Sequence, residues 1–426
     1  MIDEQRMKVL FVNTNDTSGG AARAAMRIMR GVQQSGEETQ MFVKYKNSQA
    51  EDVVPLSQFV PSDQLYRTFE WIVTKIKNQW QHHKWRPYKH TKLNLYFSDL
   101  RSTRIHGALQ KMEYDILHLH WINNRFLDIE ELKKINKPIV WTLHDSWPFT
   151  GICHVSYECK KYINHCGHCP LLGAKCRKDL SYEVFEKKLE AYKDLDLHIV
   201  TPSRWLGQCV KRSALLRKYP VTIIPNGVDI ELYQPMNNAD ARKVLGVELN
   251  KKYLLFGAMQ ALEDSNKGFE YLKEALKQMK DTDIELLVYG TNEDMKQYDL
   301  PIQARSLGYI NNDKMMVLLY NAADVCIVPS LSENLSNTIM ESLACGTPVV
   351  AFRIGGNGDM INHKRNGYLA REKDSEDLSE GIQWCLTNNK DGALSKNARE
   401  KVMNNYTIDI VTEQYKKLYQ SILCKE

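Results

Sequence analysis

No apolar run in the 426 residues approaches the 18 or more that a membrane-spanning helix needs. Internal repeats and low-complexity tracts are lacking as well. The first residues, Met1 to Met7, have no apolar signal-peptide core, so an intracellular, cytoplasmic chain is expected. The G-x-G-x-x-G dinucleotide fingerprint does not follow the first strand, which argues against a dehydrogenase. A large charge of either sign is missing too: the net charge is +5, too small by itself to predict a nucleic-acid partner. Acidic residues are absent from Trp71 to Ser98, where Lys75, Lys77, Lys84 and Arg86 alternate with Trp71, Trp80 and Trp85. That mixture suits an anionic membrane surface, and a peripheral attachment to the inner face of the cell membrane is one expectation. A solvated helix face with its tryptophans packed inward is the other.

What is present points to a folded globular protein. At 43% hydrophobic residues, a chain of this length can build two or three full cores. The stretch from Pro329 to Phe352 organises it. Val325 to Val328 is apolar and stops at Pro329, as a buried strand does. Ser330 to Ser336 is polar loop. Asn337 to Ala344 has helical spacing, with Ile339, Met340, Leu343 and Ala344 apolar, and Gly346 then Pro348 follow as stop signals. Thr347 to Phe352 reads as the next buried strand.

In this strand–loop–helix–strand unit, Glu333 sits on the loop and Glu341 inside the helix. Backbone N–H groups around Ser336, Asn337 and Thr338 point out of the helix N-terminus and form an anion site with its dipole. Carboxylates accept hydrogen bonds from sugar hydroxyls. A phosphate flanked by two carboxylates therefore suggests a nucleotide-sugar.

The spacing Glu333, seven residues, Glu341, followed by Ala344-Cys345-Gly346-Thr347-Pro348-Val349-Val350, resembles the E-x7-E signature of retaining glycosyltransferases of family 4, and Trp147-Pro148-Phe149-Thr150-Gly151 ahead of a cysteine cluster resembles the branch of that family that builds bacterial polysaccharides. Pro225-Asn226-Gly227-Val228-Asp229, Gly308-Tyr309-Ile310 and Gly355 to Asp359 resemble the family as well. The resemblance implies a GT-B fold: α/β, two Rossmann-like domains facing an interdomain cleft. Residues 1–224 would form the acceptor-side domain, with a Cys-rich insertion at 151–176. Residues 225–405 would bind the nucleotide-sugar, and a helix at 406–426 would return to the first domain. The implied activity is transfer of a sugar from a UDP- or GDP-sugar to a glycan or lipid-linked glycan, with no cofactor in catalysis and no nucleic acid. A phosphorylase or hydrolase on the same fold, or a non-catalytic partner that binds nucleotide-sugar, are the alternatives.

The resemblance also distributes roles. Glu333 would hold the sugar hydroxyls and Glu341 the ribose. Lys267, Asn337 and Thr338 would hold the diphosphate, with Ser336 at the helix end. Tyr309 would lie at the base. Gly19 and Gly20, opening a helix after the first strand, would pass beneath the phosphates, or make only a tight turn. His144, at the end of a strand in Thr142-Leu143-His144-Asp145, would contact the transferred sugar. The pattern departs from the family at one point. An Arg is usual five or six residues before the Lys, but Leu262 and Ala261 stand there, and Arg204, Arg305 or Arg353 would have to compensate.

Two further groups are read from the residues. His118 and His120 share one face of a strand by its period of two, and are expected to be packed, hydrogen-bonded histidines. Cys153, Cys159, Cys166, Cys169 and Cys176 crowd one segment after Trp147-Pro148-Phe149-Thr150-Gly151. The C-x2-C pair suits a metal, and a structural zinc on Cys153, Cys159, Cys166 and Cys169 is one expectation. Packed thiols and disulfides are the others. The zinc expectation assumes that a loop with few apolar residues cannot order itself by burial.

Overall fold

The computed structural model describes residues 6–59, 105–257, 261–279 and 283–424. The basic, tryptophan-bearing stretch with Lys75, Lys77, Lys84 and Arg86 lies outside the described residues. The chain forms two compact units. The first comprises described residues of Met1–Pro202, Leu206–Ile224 and Gln414–Glu426; the second comprises those of Ser203–Trp205 and Pro225–Glu413.

The first unit is built on seven parallel strands: β1 (Lys8–Asn15), β2 (Glu38–Tyr45), β3 (Val53–Pro55), β4 (Ile116–Leu119), β5 (Ile139–Thr142), β6 (Leu197–Thr201) and β7 (Val221–Ile223). Their order is β3-β2-β1-β4-β5-β6-β7. Consecutive residues Val9 to Val12 of β1 are all buried, because a parallel sheet is covered on both faces. The order reverses between β1 and β4. At such a reversal the loops leaving the carboxyl ends part and open a crevice. Gly19, His120 and His144 all lie just beyond the carboxyl ends of β1, β4 and β5.

The end of the last helix (Ile408–Leu423) belongs to this unit from Gln414 on. Tyr415 and Tyr419 are buried, and their hydroxyls lie 2.9 Å from Thr142 Oγ1 and 2.8 Å from His118 Nδ1. His118 Nε2 reaches Thr142 Oγ1 at 2.8 Å, so both its ring nitrogens are engaged.

One helix is shorter than its sequence suggests. The basic run from Arg204 to Lys218 reads as continuous helix, yet the helix is Arg204–Arg212. Ser213 ends it: its hydroxyl donates to Phe149 O at 3.2 Å and accepts from Leu215 N at 3.2 Å. A serine bonding locally in this way offers the backbone an alternative to the helix.

The second unit has six parallel strands: β8 (Lys252–Gly257), β9 (Ile284–Tyr289), β10 (Gln303–Ser306), β11 (Val325–Val328), β12 (Val349–Phe352) and β13 (Gly367–Ala370). Their order is β10-β9-β8-β11-β12-β13, reversing between β8 and β11. Both faces carry an apolar core, one around Tyr253, Leu255 and Ile339, the other around Leu254, Phe256 and Leu272. Each unit is thus a doubly wound α/β sheet. Among the described residues no helix is long and apolar enough to cross a membrane.

Candidate functional site

In the second unit, the loops leaving β8 and β11 are tied together at the strand-order reversal. Leu331 N donates to Asn266 O at 2.8 Å, and Asn266 Nδ2 donates to Ser332 O at 3.1 Å. Gly268 has φ +74°, and a Cβ there would stand 1.9 Å from Pro329 O, so only glycine lets the loops approach this closely. On the other side, Gly355 has φ +48°, and its Cβ would stand 1.7 Å from Glu333 O. The backbone of Glu333 is held between these contacts.

The result is an ion pair. Lys267 Nζ lies 3.1 Å from Glu333 Oε1, with both side chains largely withdrawn from water. The Glu333 carboxylate raises the Lys267 pKa above the ordinary lysine range, against the opposing effect of burial. Lys267 therefore stays charged.

The helix after this loop is Asn337–Ala344. Ser336 is its N-cap, its hydroxyl accepting from Ile339 N, so its side chain is spent on the helix end. Asn337 Oδ1 accepts from Asn226 Nδ2 at 3.2 Å, which brings the Asn226-Gly227 turn to the helix N-terminus. Sequence reading takes that turn as a domain junction and misses Asn226; its nearness to Asn337, 111 positions away, has no local signal. The Thr338 hydroxyl is hydrogen-bonded with the Tyr289 phenol. Glu341, one turn further on, is only 2% exposed and accepts from Tyr320 O–H at 3.2 Å. Tyr309 follows Gly308 (φ +72°) and is 49% exposed.

Of the arginines considered as substitutes, Arg305 is committed elsewhere: its Nε donates to Glu285 Oε1 at 3.1 Å, from β10 to β9. Arg204 and Arg353 make backbone contacts, from their amides to Asp359 Oδ2 and Ala370 O.

In the first unit, β1 runs into Asp16 and then Gly19. Asp16 is fully buried and accepts from Asn47 N at 2.9 Å and Ser48 N at 2.8 Å. Burial alone would raise its pKa, but these amides outweigh it and hold the carboxyl below the ordinary range. Gly19 has φ +91°, and a Cβ would meet no described atom within 4 Å, so the glycine serves the backbone turn. Gly20 begins the helix Gly20–Gln34.

His144 Nε2 lies 2.9 Å from His120 Nδ1. Burial lowers the His144 pKa to about 4, so the ring is neutral at physiological pH. Its neighbour Asp145 anchors the loop that follows. The carboxylate accepts from Trp121 Nε1 at 2.9 Å and Trp147 N at 2.8 Å, and pairs with His154 Nδ1 at 2.5 Å. Burial pushes the Asp145 pKa up, and His154 with the N–H donors pulls it below the ordinary range.

The cysteine segment contributes to an apolar cluster. Ile152, Cys153, Cys169, Leu172, Ala174, Leu180 and Val184 form one apolar cluster. Its partners come from the helix Leu180–Ala191, beyond the segment itself. Cys153 and Cys169 hydrogen-bond to each other, Cys166 Sγ accepts from Gly151 N at 3.2 Å, and Cys159 is half-buried. Among the described residues no group of three or more His, Cys, Asp or Glu is placed to hold a metal ion. Cys159, Cys166 and Cys169 all act on the Cys153 thiol, so the four residues expected as zinc ligands or as packed thiols lie near one another.

Lys188 clamps this segment. It is fully buried, and Nζ donates to Trp147 O at 2.5 Å, Thr150 O at 2.9 Å and Gly151 O at 3.2 Å, 3.6 Å from the Trp147 ring centroid. Burial pushes its pKa well down. The three carbonyls oppose that, since an ammonium has three hydrogens for three acceptors and a neutral amine only two.

Comparison with known proteins agrees with this geometry. Residues 238–401 match the family "Glycosyl transferases group 1", and residues 18–232 match "Glycosyltransferase Family 4". An uncharacterized glycosyltransferase of Methanocaldococcus jannaschii is 25% identical over 328 residues, covering 74% of this chain and 77% of that one. The Escherichia coli UDP-Gal:alpha-D-GlcNAc-diphosphoundecaprenol alpha-1,3-galactosyltransferase is 25% identical over 327 residues, with the same coverage. Among solved structures, sucrose-phosphate synthase of Thermosynechococcus elongatus superposes with a TM-score of 0.69 at 20% identity, over 99% of this chain and 100% of that one. That likeness is to the GT-B fold. With matches over both units and the E-x7-E loop held in place by its glycines, the chain belongs to glycosyltransferase family 4.

Proposed function

We propose that this enzyme moves a hexosyl group from a nucleotide-sugar to a glycan or lipid-linked glycan, with retention of anomeric configuration, in the building of cell-surface polysaccharide. The observation that carries the reading is the Lys267–Glu333 pair at 3.1 Å beside the N-terminus of Asn337–Ala344. It sets a cation and a sugar-binding carboxylate next to a natural phosphate site. The E. coli relative, whose name gives a UDP-linked donor and a diphosphoundecaprenol-linked acceptor, supports a UDP donor and a lipid-linked acceptor here.

In this reading the donor diphosphate lies on the amides of Asn337 and Thr338 and on Lys267. The lysine exchanges the Glu333 carboxylate for phosphate, and Glu333 turns to the sugar hydroxyls. Glu341 takes the ribose, Tyr309 the base, and Gly19 and Gly20 give the phosphates room. His144, in the first unit, is assigned a hydrogen bond to the transferred sugar. The bond from the anomeric carbon to the phosphate oxygen breaks, and the acceptor oxygen bonds to the same face. The acceptor's proton passes to the departing phosphate, and Lys267 stabilises the charge that develops there. No metal is required by this scheme.

The test is a thermal-shift screen of UDP, GDP and their sugars, followed by transfer to a lipid-diphosphate-linked sugar and NMR of the product anomer. A stabilising UDP- or GDP-sugar and a product of unchanged configuration are expected. Donor consumption at an equal rate without acceptor would replace this reading by a hydrolase.

A lipid-linked acceptor also places the enzyme at the membrane face, where the basic, tryptophan-bearing stretch from Trp71 to Ser98 is proposed to meet anionic headgroups. Changing Lys75, Lys77, Lys84 and Arg86 to Gln is expected to reduce co-sedimentation with anionic vesicles. Each basic residue near such a surface contributes about 1 kcal/mol. Equal sedimentation of variant and wild type would leave the stretch without a membrane role.

A further inference from the structure

We infer that His120 is a positioning residue: it donates its Nδ1–H to His144 Nε2 and so fixes His144 as the tautomer with its proton on Nδ1, the form that can donate to a sugar hydroxyl. The inference rests on the proposed placement of His144 at the transferred sugar.

The two nitrogens are 2.9 Å apart, so one proton lies between two rings. Burial holds both imidazoles neutral, and a neutral imidazole has one donor nitrogen and one acceptor. Two arrangements are possible. If His144 Nε2 donated, His120 would carry its own proton on Nε2. That atom is buried with no hydrogen-bond partner among the described residues, so the result would be an orphaned buried N–H. If His120 Nδ1 donates, Nε2 is only a bare lone pair. Buried donors without a partner are rarer in proteins than buried acceptors without one, which selects the second arrangement.

The surroundings make His120 a rigid donor. Its ring stacks on that of Phe11 at 5.7 Å and lies 4.2 Å from that of His118, centroid to centroid. His118 cannot turn away, because Tyr419 and Thr142 hold both its nitrogens. The His120 backbone is tied on both sides: its N–H donates to Val12 O at 2.9 Å, and its carbonyl accepts from Trp141 Nε1 at 3.0 Å. A free imidazole in water prefers the other tautomer, with its proton on Nε2. The fixed donor at His120 reverses that preference.

The test reads the tautomer directly. Long-range proton–nitrogen NMR of the full-length, histidine-labelled protein, with His144 assigned by substitution, is expected to show a protonated Nδ1 and a bare Nε2. In His120→Phe the Nε2-protonated form should appear. The turnover number should fall about ten-fold with donor KM little changed, a part of the loss expected when a positioned donor is removed. His120→Asn, whose amide N–H stands where Nδ1–H stood, should recover the tautomer and most of the turnover. His120→Gln, which carries its amide at the Nε2 position, should behave like Phe while remaining polar. A wild-type His144 protonated on Nε2, or a tautomer unmoved in His120→Phe, overturns the inference. His144→Ala with wild-type turnover would instead strike the placement of His144 at the sugar, whatever its tautomer, and with it the functional half of the inference.

Discussion

Glu333→Ala is expected to lower turnover about 10- to 150-fold while donor KM moves little, and Glu341→Gln is expected to do the reverse. The basis is when each carboxylate's contact changes. Sugar hydroxyls move and gain charge as the glycosidic bond breaks, so a carboxylate holding them binds the transition state more tightly than the ground state. The ribose does not change during transfer, so its partner contributes equally to both states and its loss appears in binding. A hydrogen bond to a charged group contributes about 1.5–3 kcal/mol, which gives the stated range. The structure refines the choice of substitution at the second position. Glu341 is buried and accepts from Tyr320 O–H, so alanine would leave both a cavity and a buried hydroxyl without its acceptor. Glutamine keeps the volume and an acceptor oxygen. Steady-state kinetics of both variants with varied donor would check the pair, and two variants with wild-type turnover and wild-type donor KM would refute the assignment.

The largest stability effect is expected at Lys188. Lys188→Met keeps a long unbranched side chain but removes the donors that satisfy Trp147 O, Thr150 O and Gly151 O. Each buried acceptor left without a partner costs about 1–3 kcal/mol, so a loss of about 3–5 kcal/mol from the first unit is expected. The damage should be local in the first instance. Limited proteolysis should cut the segment from Trp147 to Cys176 at protease concentrations that leave the wild type intact, and the denaturation midpoint should fall. His144 stands three residues before Trp147, with Asp145 fixing Trp147 N, so turnover should also drop in the folded fraction. An unchanged midpoint and cleavage pattern would mean that water replaces the ammonium, and that the clamp contributes little.

The two sheets were legible in the sequence because parallel strands buried on both faces read as unbroken apolar runs, as Val9 to Val12 and Val325 to Val328 do. The E-x7-E loop was legible because its chemistry is local. Glu333, the helix end at Ser336 and Glu341 lie within one short segment, whereas the Lys267–Glu333 pair joins positions 66 apart and has no local pattern. Contacts set by strand register were not. Period two puts His118 and His120 on one face of β4, but whether His120 meets His144 depends on pairing Leu119 with Trp141 across β4 and β5. No local pattern encodes that pairing. The packing of the cysteine segment was hidden for a similar reason. Ile152, Cys153, Cys169, Leu172 and Ala174 come from the segment, but their partners Leu180 and Val184, with Lys188, arrive from the helix that follows.

The last helix carries a consequence for the order of events during synthesis. Tyr415 and Tyr419 complete the hydrogen bonds of Thr142 and His118, yet they are translated after the whole of the second unit. The first sheet can assemble on the ribosome as its strands emerge, since domains generally fold N-terminal first. Its histidine ladder must wait for some 270 further residues, counting from Thr142 to Tyr415. A nascent chain stalled anywhere in the second unit would therefore expose Thr142 and His118 where two tyrosines belong. Only a chain translated past residue 419 can close the hydrogen bonds that hold the His118 ring, and with it the wall against which His120 packs.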